Sequence, residues 1–357
     1  MSNTKVLLLS PSFKLNGGVV EFNKMLLKYG SANYLLFEIS SGLQTNKWLK
    51  LFCLIWDYFR FLGLLLFKKI DVVHVNPSLG ANSIKRDGVF VKLAKYVNKK
   101  VYVHWHGWNP DNEYLLEGDN LKFIKSSFFK VNHIKFLSED FKKKFYELGY
   151  RNQVSVGSTF VDDELVKELP LKSFESNEIT LLFLSTVSKN KGVYIALDVF
   201  KALLNKNPSM NLIIAGDGDE LENVKALVDN ENIPNVSFTG FVSGKEKRAV
   251  FLKADVYLFP SFYEGMPTSV LEAMCFGLPI VCSDAGAIPE VFEEGKMGHM
   301  ILNKEDVSKY KEAIENIIRN ELILKEMSVY NNDLGKKYYL ASKVVKRIEN
   351  DYLNLVK

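Results

Sequence analysis

The sequence predicts an α/β protein with two Rossmann-like domains that face each other across a cleft. Its 357 residues exceed the usual length of one domain. Short apolar segments alternate with segments of helical periodicity, which is typical of βαβ units and parallel sheets. The alternation stops in a polar, proline-containing segment at 169–178 and then restarts. We therefore predict domains at 1–170 and 171–337, followed by a C-terminal helix at 338–357.

The individual elements follow from this alternation. Strands are predicted in the first half at 6–10, 34–39, 71–75, 101–106, 134–137 and 154–156, and in the second half at 179–187, 212–215, 236–239, 256–259, 280–282 and 299–302. Helices are predicted at 20–29, 88–97, 193–204, 221–228, 245–252 and 268–276. The C-terminal helix could either close the second domain or cross back to the first.

Composition and charge argue against several kinds of partner and site. With 46 Lys and Arg against 42 Asp and Glu, the formal charge of +4 is spread along the chain, which disfavours a nucleic-acid partner. The three cysteines are odd in number and widely spaced, so they predict neither a disulfide framework nor a metal site. No signal-peptide core is visible near the start, and we expect a cytoplasmic protein.

The longest apolar segment runs from 48 to 67 and contains three charged residues. That many charges disfavour a membrane-spanning helix. Two interpretations remain open. The segment is either a helix of the protein core or a helix on a membrane surface, with Trp48, Trp56 and Tyr58 at the depth of the lipid headgroups.

Two loops of the first half carry residues suited to a ligand site, because ligands of open α/β sheets bind beyond the carboxyl ends of strands. Gly17 and Gly18 would let backbone N–H groups approach an anion, although a plain turn fits them equally. His104 and His106 point to the same side of a strand, with His106 at the cleft and His104 in the core. A metal site there is disfavoured, since the closest carboxylate is Asp111 and no third histidine follows nearby.

The second half contains a stronger candidate. Lys191 precedes a predicted helix, where a cation suits a phosphate, unless it is simply a solvated lysine. In segment 259–279, a strand leads through a glycine-containing loop into a helix. Glu264 lies in that loop, where we expect it to be exposed, and Glu272 lies in the first turns of the helix. Carboxylates there suit sugar hydroxyls, although a capping box with Ser269 would be a purely structural role for Glu272.

Two further patterns are weak. Asp217 and Asp219 have the DxD spacing that some nucleotide-sugar enzymes use for a metal, but a turn that caps the next helix explains them equally. Gly216 and Gly218 form half of a dinucleotide-binding fingerprint, whose third glycine is replaced by Leu221. We therefore predict no metal site and disfavour a nicotinamide-dependent oxidoreductase.

With these motifs the chain resembles the retaining, group 1 glycosyltransferases of family 4, which have the GT-B fold. The main match is Glu264, seven intervening residues and Glu272, followed by Ala273-Met274 and Gly277-Leu278-Pro279. Other motifs occur in family order along most of the chain: Gly17-Gly18, His106-Gly107, Lys191-Gly192, Gly216-Asp217-Gly218 and Gly240-Phe241-Val242. The resemblance implies an acceptor domain first and a nucleotide-sugar donor domain second.

The resemblance also implies roles for individual residues, with His106 and Glu264 as the catalytic pair. Glu264 would hold hydroxyls of the donor sugar, Glu272 the ribose, and Lys191 would neutralise the departing diphosphate. The other implied donor contacts are His106 near C6 of the sugar, Gly17 and Gly18 from the first domain, the backbone of Gly265, Met266, Pro267 and Thr268, and Phe241 and Val242 against the base. The family often has an arginine shortly before the lysine. Thr186 stands there in this chain, and Lys189 could replace the missing cation.

The implied reaction moves a hexose from a UDP- or GDP-sugar to a glycan or a polyprenyl-diphosphate-linked acceptor in surface polysaccharide synthesis. Same-face substitution would retain the sugar's configuration, the donor phosphate would accept the acceptor's proton, and no metal or other cofactor would be needed. A peripheral contact with the cytoplasmic membrane face is also expected. The alternatives are a sugar-nucleotide epimerase, a phosphorylase, a nicotinamide-dependent oxidoreductase and a non-catalytic partner protein.

Overall fold

The computed structural model describes residues 4–15, 17–170, 172, 174 and 178–357. The chain folds into two compact units. The first contains the chain up to Thr159 together with Ala341–Lys357, and the second is Phe160–Leu340.

The first unit alternates strands and helices from its start. Its elements are β1 (Lys5–Pro11), α1 (Gly18–Tyr29), β2 (Asn33–Ile39), α2 (Lys47–Phe67), β3 (Val72–Val75), β4 (Ser78–Leu79), α3 (Ala81–Tyr96), β5 (Lys100–Trp105), β6 (Gly107–Trp108), α4 (Gly118–Ser126), β7 (His133–Phe136), α5 (Glu139–Glu147) and β8 (Gln153–Val156). Six strands form a sheet in the order β2-β1-β3-β5-β7-β8, and β4 pairs with β6. The pairings in this sheet are parallel.

The second unit repeats this architecture. Its elements are β9 (Thr180–Leu184), α6 (Val193–Leu204), β10 (Asn211–Ala215), α7 (Leu221–Asn230), β11 (Val236–Gly240), α8 (Gly244–Lys253), β12 (Val256–Phe259), α9 (Thr268–Cys275), β13 (Ile280–Ser283), α10 (Ile288–Val291), β14 (Gly298–Ile301), α11 (Val307–Ile318) and α12 (Glu321–Tyr338). The parallel sheet has the order β11-β10-β9-β12-β13-β14. The last helix of the chain is α13 (Ala341–Val356).

The predicted α/β class is confirmed, and a strand is present at each predicted position. Every residue of β3, β12 and β13 is buried, because a parallel strand is covered on both faces. In the sequence such strands are uninterrupted runs of apolar residues, and these runs made it possible to predict them. The strand predicted at 179–187 ends earlier, at Leu184, and the helix predicted at 88–97 begins earlier, at Ala81.

Helix α13 packs on the first unit, so it does cross back along the chain. Its carboxylate Glu349 accepts hydrogen bonds from the backbone N–H and the hydroxyl of Ser31, at 2.6 and 2.7 Å. Its Asp351 pairs with Lys135 at 2.8 Å. These partners belong to the first unit, and the alternative in which this helix closes the second domain is wrong.

The second unit begins before the predicted boundary at residue 170. The backbone N–H of Val161 donates to the carbonyl of Tyr339 at 2.8 Å, and Arg248 donates to the carbonyl of Leu165 at 2.7 Å. These bonds hold the segment after Phe160 to the second unit. The linker predicted at 169–178 lies partly outside the described residues.

Helix α2 contributes one face to the core of the first unit. Asn46 caps its first turn by accepting hydrogen bonds from the N–H groups of Trp48 and Leu49. Phe61 and Leu65 are buried, whereas the opposite face is exposed. Among the described helices, none is long and apolar enough to cross a bilayer.

Candidate active site

The loops after β9 and β12 meet at one edge of the second sheet. The two strands are neighbours in that sheet. The N–H of Phe262, in the loop after β12, donates to the carbonyl of Asn190 at 2.9 Å. Lys304, which follows β14, donates to the carbonyl of Phe262 at 3.0 Å. Carboxyl ends of parallel strands are where ligands bind in open α/β sheets, so this edge is the candidate site.

Lys191 and Glu264 form an ion pair at this edge. Lys191 Nζ lies 2.6 Å from Glu264 Oε1, and the hydroxyl of Ser261 donates to the same oxygen at 2.8 Å. The side chain of Glu264 is only 9% exposed. The expectation of an exposed carboxylate is therefore wrong, because the loop encloses the carboxylate and pairs it with a cation.

Gly192 sets the position of Lys191. Its φ is +76°, in the left-handed region, and a Cβ at this residue would lie 2.0 Å from the carbonyl oxygen of Pro260. A residue with a side chain would be strained at this φ and would clash with Pro260, so this position requires glycine. Helix α6 begins at the next residue, Val193, so Lys191 lies at the start of a helix as predicted.

Helix α9 begins at Thr268 with Pro267 at its N-cap position and no side-chain cap. The alternative of a capping box is wrong, since the hydroxyl of Tyr257 donates to Ser269 Oγ at 2.7 Å and Glu272 faces a lysine instead. The first N–H groups of a helix lack partners within the helix and suit an anion. Of the predicted loop contacts, Met266 and Pro267 are buried, whereas Thr268 is exposed and Gly265 lies between these extremes.

Glu272 is a buried carboxylate that pairs with a lysine of the neighbouring helix. Its side chain is 5% exposed, and Lys247 Nζ, from α8, lies 2.7 Å from Oε1. Burial raises the pKa of this carboxyl, and the charge of Lys247 acts in the opposite direction. Sequence reasoning missed both Lys247 and Lys304, because nothing local separates them from the many surface lysines.

The other residues expected near the nucleotide differ in their exposure and in the partners they contact. Phe241 directly follows β11 and is 65% exposed, while Val242 is buried. Lys189 lies 3.5 Å from Glu220 rather than at the Lys191–Glu264 pair. Asp217 accepts a hydrogen bond from the N–H of Gly218 at 2.8 Å. The alternative in which this turn caps α7 is wrong, since that helix has Glu220 at its N-cap position and no side-chain cap.

His106 is held by an amide network in the first unit. Its Nε2 lies 2.8 Å from Asn76 Oδ1. The Asn76 NH₂ group donates to Leu9 O and Asn23 Oδ1, both at 3.1 Å, which fixes the orientation of the amide. Asn76 Oδ1 therefore faces His106, and an amide oxygen can only accept a hydrogen bond. His106 therefore carries its proton on Nε2, which leaves Nδ1 as an acceptor. Burial lowers the pKa of His106 to about 3, so the ring is neutral near pH 7.

Two other predicted features of the first unit are in place. His104 is fully buried, as expected, with its ring stacked 4.4 Å from that of His106. Helix α1 begins at Gly18, with Gly17 at its N-cap position and no side-chain cap. Asn16, in the same predicted loop, lies outside the described residues. Sequence reasoning missed Asn76, whose one signal was its place directly after the strand β3.

Residues 167–334, most of the second unit, match the family of glycosyl transferases group 1. An uncharacterized 41.2 kDa protein in the cps region of Klebsiella pneumoniae is 26% identical over 269 residues, which cover 70% of each chain. The putative teichuronic acid biosynthesis glycosyltransferase TuaC of Bacillus subtilis is 24% identical over 176 residues, 49% of this chain and 42% of the relative. This chain thus spans less than half of the second relative's length.

Solved structures share the fold of the whole chain. Sucrose-phosphate synthase from Thermosynechococcus elongatus has a TM-score of 0.79 at 14% identity, covering 99% of both chains. Anabaena Alr3699/HepE in complex with UDP and glucose has a TM-score of 0.73 at 16% identity, covering 98% of this chain and 99% of the other. At these identities the likeness establishes the fold alone, which is GT-B. Residues 167–334 therefore match the group 1 family of glycosyl transferases, and the chain as a whole has the GT-B fold.

Proposed function

We propose that this enzyme transfers a hexose from a UDP- or GDP-sugar with retention of configuration. The observation that carries the proposal is the Lys191–Glu264 pair, 2.6 Å apart and directly before α6. It combines a cation suited to a diphosphate with a carboxylate suited to sugar hydroxyls. The N-terminus of α9, which has no side-chain cap, adds a second anion-binding element at the same sheet edge.

The bond that breaks joins the anomeric carbon to a phosphate oxygen. As it lengthens, negative charge grows on the diphosphate and positive charge on the sugar ring. Lys191 stabilises the charge on the diphosphate. In most enzymes, fixed charges placed where charge develops make the largest single contribution to catalysis. The acceptor oxygen attacks from the face that the diphosphate leaves, and a phosphate oxygen takes its proton.

The remaining residues hold the donor. Glu264 accepts hydrogen bonds from sugar hydroxyls, and Glu272 accepts them from the ribose. The exposed ring of Phe241 lies against the base together with Val242. We also propose His106, through Nδ1, as a contact to the C6 side of the sugar, and Gly17 and Gly18 as further donor contacts. Two glutamates acting on the donor side leave no carboxylate pair of the glycosidase kind.

We also propose that no metal takes part, since Lys191 and helix N-termini supply the positive charge. Activity should then persist in EDTA. This part of the proposal would be contradicted if EDTA removed all activity and Mg²⁺ or Mn²⁺ restored it. The Asp219→Ala variant would then have to lose the restored activity.

The acceptor we propose is a glycan or a polyprenyl-diphosphate-linked sugar of a surface polysaccharide, used at the cytoplasmic face of the membrane. The support is the genetic setting named for the Klebsiella relative and the pathway named for TuaC. The family match and these relatives do not favour an epimerase, a phosphorylase, an oxidoreductase or a non-catalytic protein.

A thermal-shift panel of UDP, GDP, ADP and NAD tests the donor class. Stabilisation by UDP or GDP supports the proposal and identifies the base, whereas stabilisation by NAD alone would overturn it. Incubation with the matching nucleotide-sugar and a bacterial lipid extract then tests transfer. A sugar-labelled lipid product is expected, and a free sugar phosphate formed only in the presence of inorganic phosphate would indicate a phosphorylase.

A further inference from the structure

Helix α2 presents a continuous apolar face to solvent. Trp48, Phe52, Ile55 and Phe59 recur at spacings of three and four residues, which places them on one side of the helix. Trp48 is 81% exposed, Phe52 68% and Phe59 66%. Trp56, Leu66 and Phe67 are exposed as well. A soluble domain rarely exposes so many large apolar side chains together, and such surfaces mark interaction sites.

The opposite face holds this helix firmly on the first unit. Phe61 is fully buried, with its ring 5.6 Å from that of Phe37 and 5.0 Å from that of Phe90. Asp57 is also buried, and it accepts a hydrogen bond from the backbone N–H of Ser40 at 2.8 Å. The exposed side chains are therefore fixed on a rigid element.

Positive charge flanks the apolar face at both ends. Lys47 and Lys50 lie in the first turn, and Lys68 and Lys69 directly follow the last, all exposed. The single acid between residues 47 and 69 is Asp57, which is buried and paired with Arg60 at 2.8 Å. An apolar face with lysines and no exposed acid is complementary to a bilayer that contains anionic lipid.

We propose that the outward face of α2 is a docking surface for an anionic membrane. The helix lies in the plane of the interface, its aromatic side chains enter the headgroup region, and its terminal lysines contact lipid phosphates. This surface goes beyond the proposed transfer reaction, because no residue of the donor site belongs to it.

A second copy of the chain fits this surface less well. Pairing two such helices side by side, parallel or antiparallel, would bring the lysine pairs of one copy against those of the other. The helix offers no exposed acid to compensate, and like charges at close range oppose association. An anionic bilayer meets the same lysines with opposite charge.

Flotation of the full chain with vesicles of phosphatidylglycerol and phosphatidylcholine, or of phosphatidylcholine alone, tests the proposal at low and high salt. The test variants are Phe52→Ser/Phe59→Ser and Lys68→Glu/Lys69→Glu. The matched controls are Tyr96→Ser/Tyr114→Ser and Lys122→Glu/Lys125→Glu, which alter exposed residues of the same unit outside α2. The thermal shift with UDP is measured for each variant, so that loss of fold or of donor binding is separated from loss of membrane binding.

Wild type and both controls should float with anionic vesicles at low salt and be released by high salt. Both α2 variants should lose at least about tenfold in vesicle partitioning while keeping the UDP shift. The proposal is overturned if the wild type stays at the bottom of every gradient, or if Phe52→Ser/Phe59→Ser floats like the wild type. It is also overturned if the wild type forms a dimer without lipid that this variant dissociates, since the occupant would then be a second copy.

Discussion

The ammonium of Lys191 lies 2.6 Å from the carboxylate of Glu264, so the two groups proposed to face the diphosphate and the sugar hold each other in position. Each therefore occupies a defined place before a donor arrives. When the donor binds, the contact between the two side chains is replaced by contacts to the donor. Because both side chains are already held in place, binding does not carry the entropy cost of ordering them.

Replacing Glu264 by Gln should remove most activity. The amide keeps the size of the side chain but loses the charge that accepts hydrogen bonds from sugar hydroxyls. We expect a loss of kcat/KM equivalent to about 2–4 kcal/mol. The loss of stability should be no more than about 1 kcal/mol, because the partly exposed Lys191 keeps the carbonyl of Tyr263 at 3.3 Å. Steady-state kinetics and thermal unfolding measure the two effects.

Glu222→Gln is the matched control, since that carboxylate is 82% exposed and pairs with Lys225 on the surface of α7. Its kinetics should equal those of the wild type. A folded Glu264→Gln enzyme with normal turnover would rule out the role assigned to Glu264.

Lys247→Met should weaken UDP binding more at pH 6 than at pH 8. Without the lysine, the buried carboxyl of Glu272 has a pKa raised further above its ordinary value, so more of it is protonated as the pH falls. A protonated acid accepts fewer hydrogen bonds from the ribose. Titration calorimetry at the two pH values measures the difference.

The double variant Lys247→Met/Glu272→Gln separates charge from packing. Removing both charges avoids a buried carboxylate without a partner, so the double variant should be more stable than Lys247→Met alone. A double variant that is less stable than the single one would show that the ion pair is not what stabilises this part of α9.

The tautomer of His106 should be observable by NMR with ¹⁵N-labelled histidine. The amide network through Asn76 requires the proton on Nε2, and the pKa of about 3 keeps the ring neutral down to pH 5. Nitrogen shifts of a neutral ring with Nε2–H are therefore expected between pH 5 and 8. A ring protonated on Nδ1, or one that titrates near pH 6.5, would contradict this assignment.

The first unit should lose stability as the pH falls from 7 to 5. Burial lowers the pKa of four histidines, so the unfolded chain binds protons in this range that the folded unit excludes: His74, His104, His106 and His133. Each of these rings can lower the free energy of unfolding by up to about 1.4 kcal/mol per pH unit below 6.5. Tryptophan fluorescence in urea reports on this unit alone, because all four tryptophans lie between residues 48 and 108.

His104→Leu tests the origin of this dependence. Neither ring nitrogen of His104 has a hydrogen-bond partner among the described residues. The leucine variant should therefore lose little stability at pH 7. The dependence of its free energy of unfolding on pH should be weaker by the contribution of one proton. An unchanged slope would assign the proton uptake to other groups.

Buried parallel strands made the fold predictable, because their apolar runs are local in the sequence. The position of Glu264 was predictable, because it lies in the loop that follows a buried strand. Lys247 and Asn76 could not be found in this way. Each acts on a residue distant in sequence, and only the folded sheet brings such pairs together.

The affinity of UDP for Lys191→Met and Lys189→Met tests the central claim most directly. Lys191 lies in the proposed diphosphate site, whereas Lys189, two residues earlier, is 74% exposed and contacts Glu220. Removing a charge-assisted contact to phosphate should weaken binding at least about tenfold in Lys191→Met. Lys189→Met should bind UDP like the wild type. Equal affinities in all three proteins would contradict the placement of the diphosphate at the Lys191–Glu264 pair.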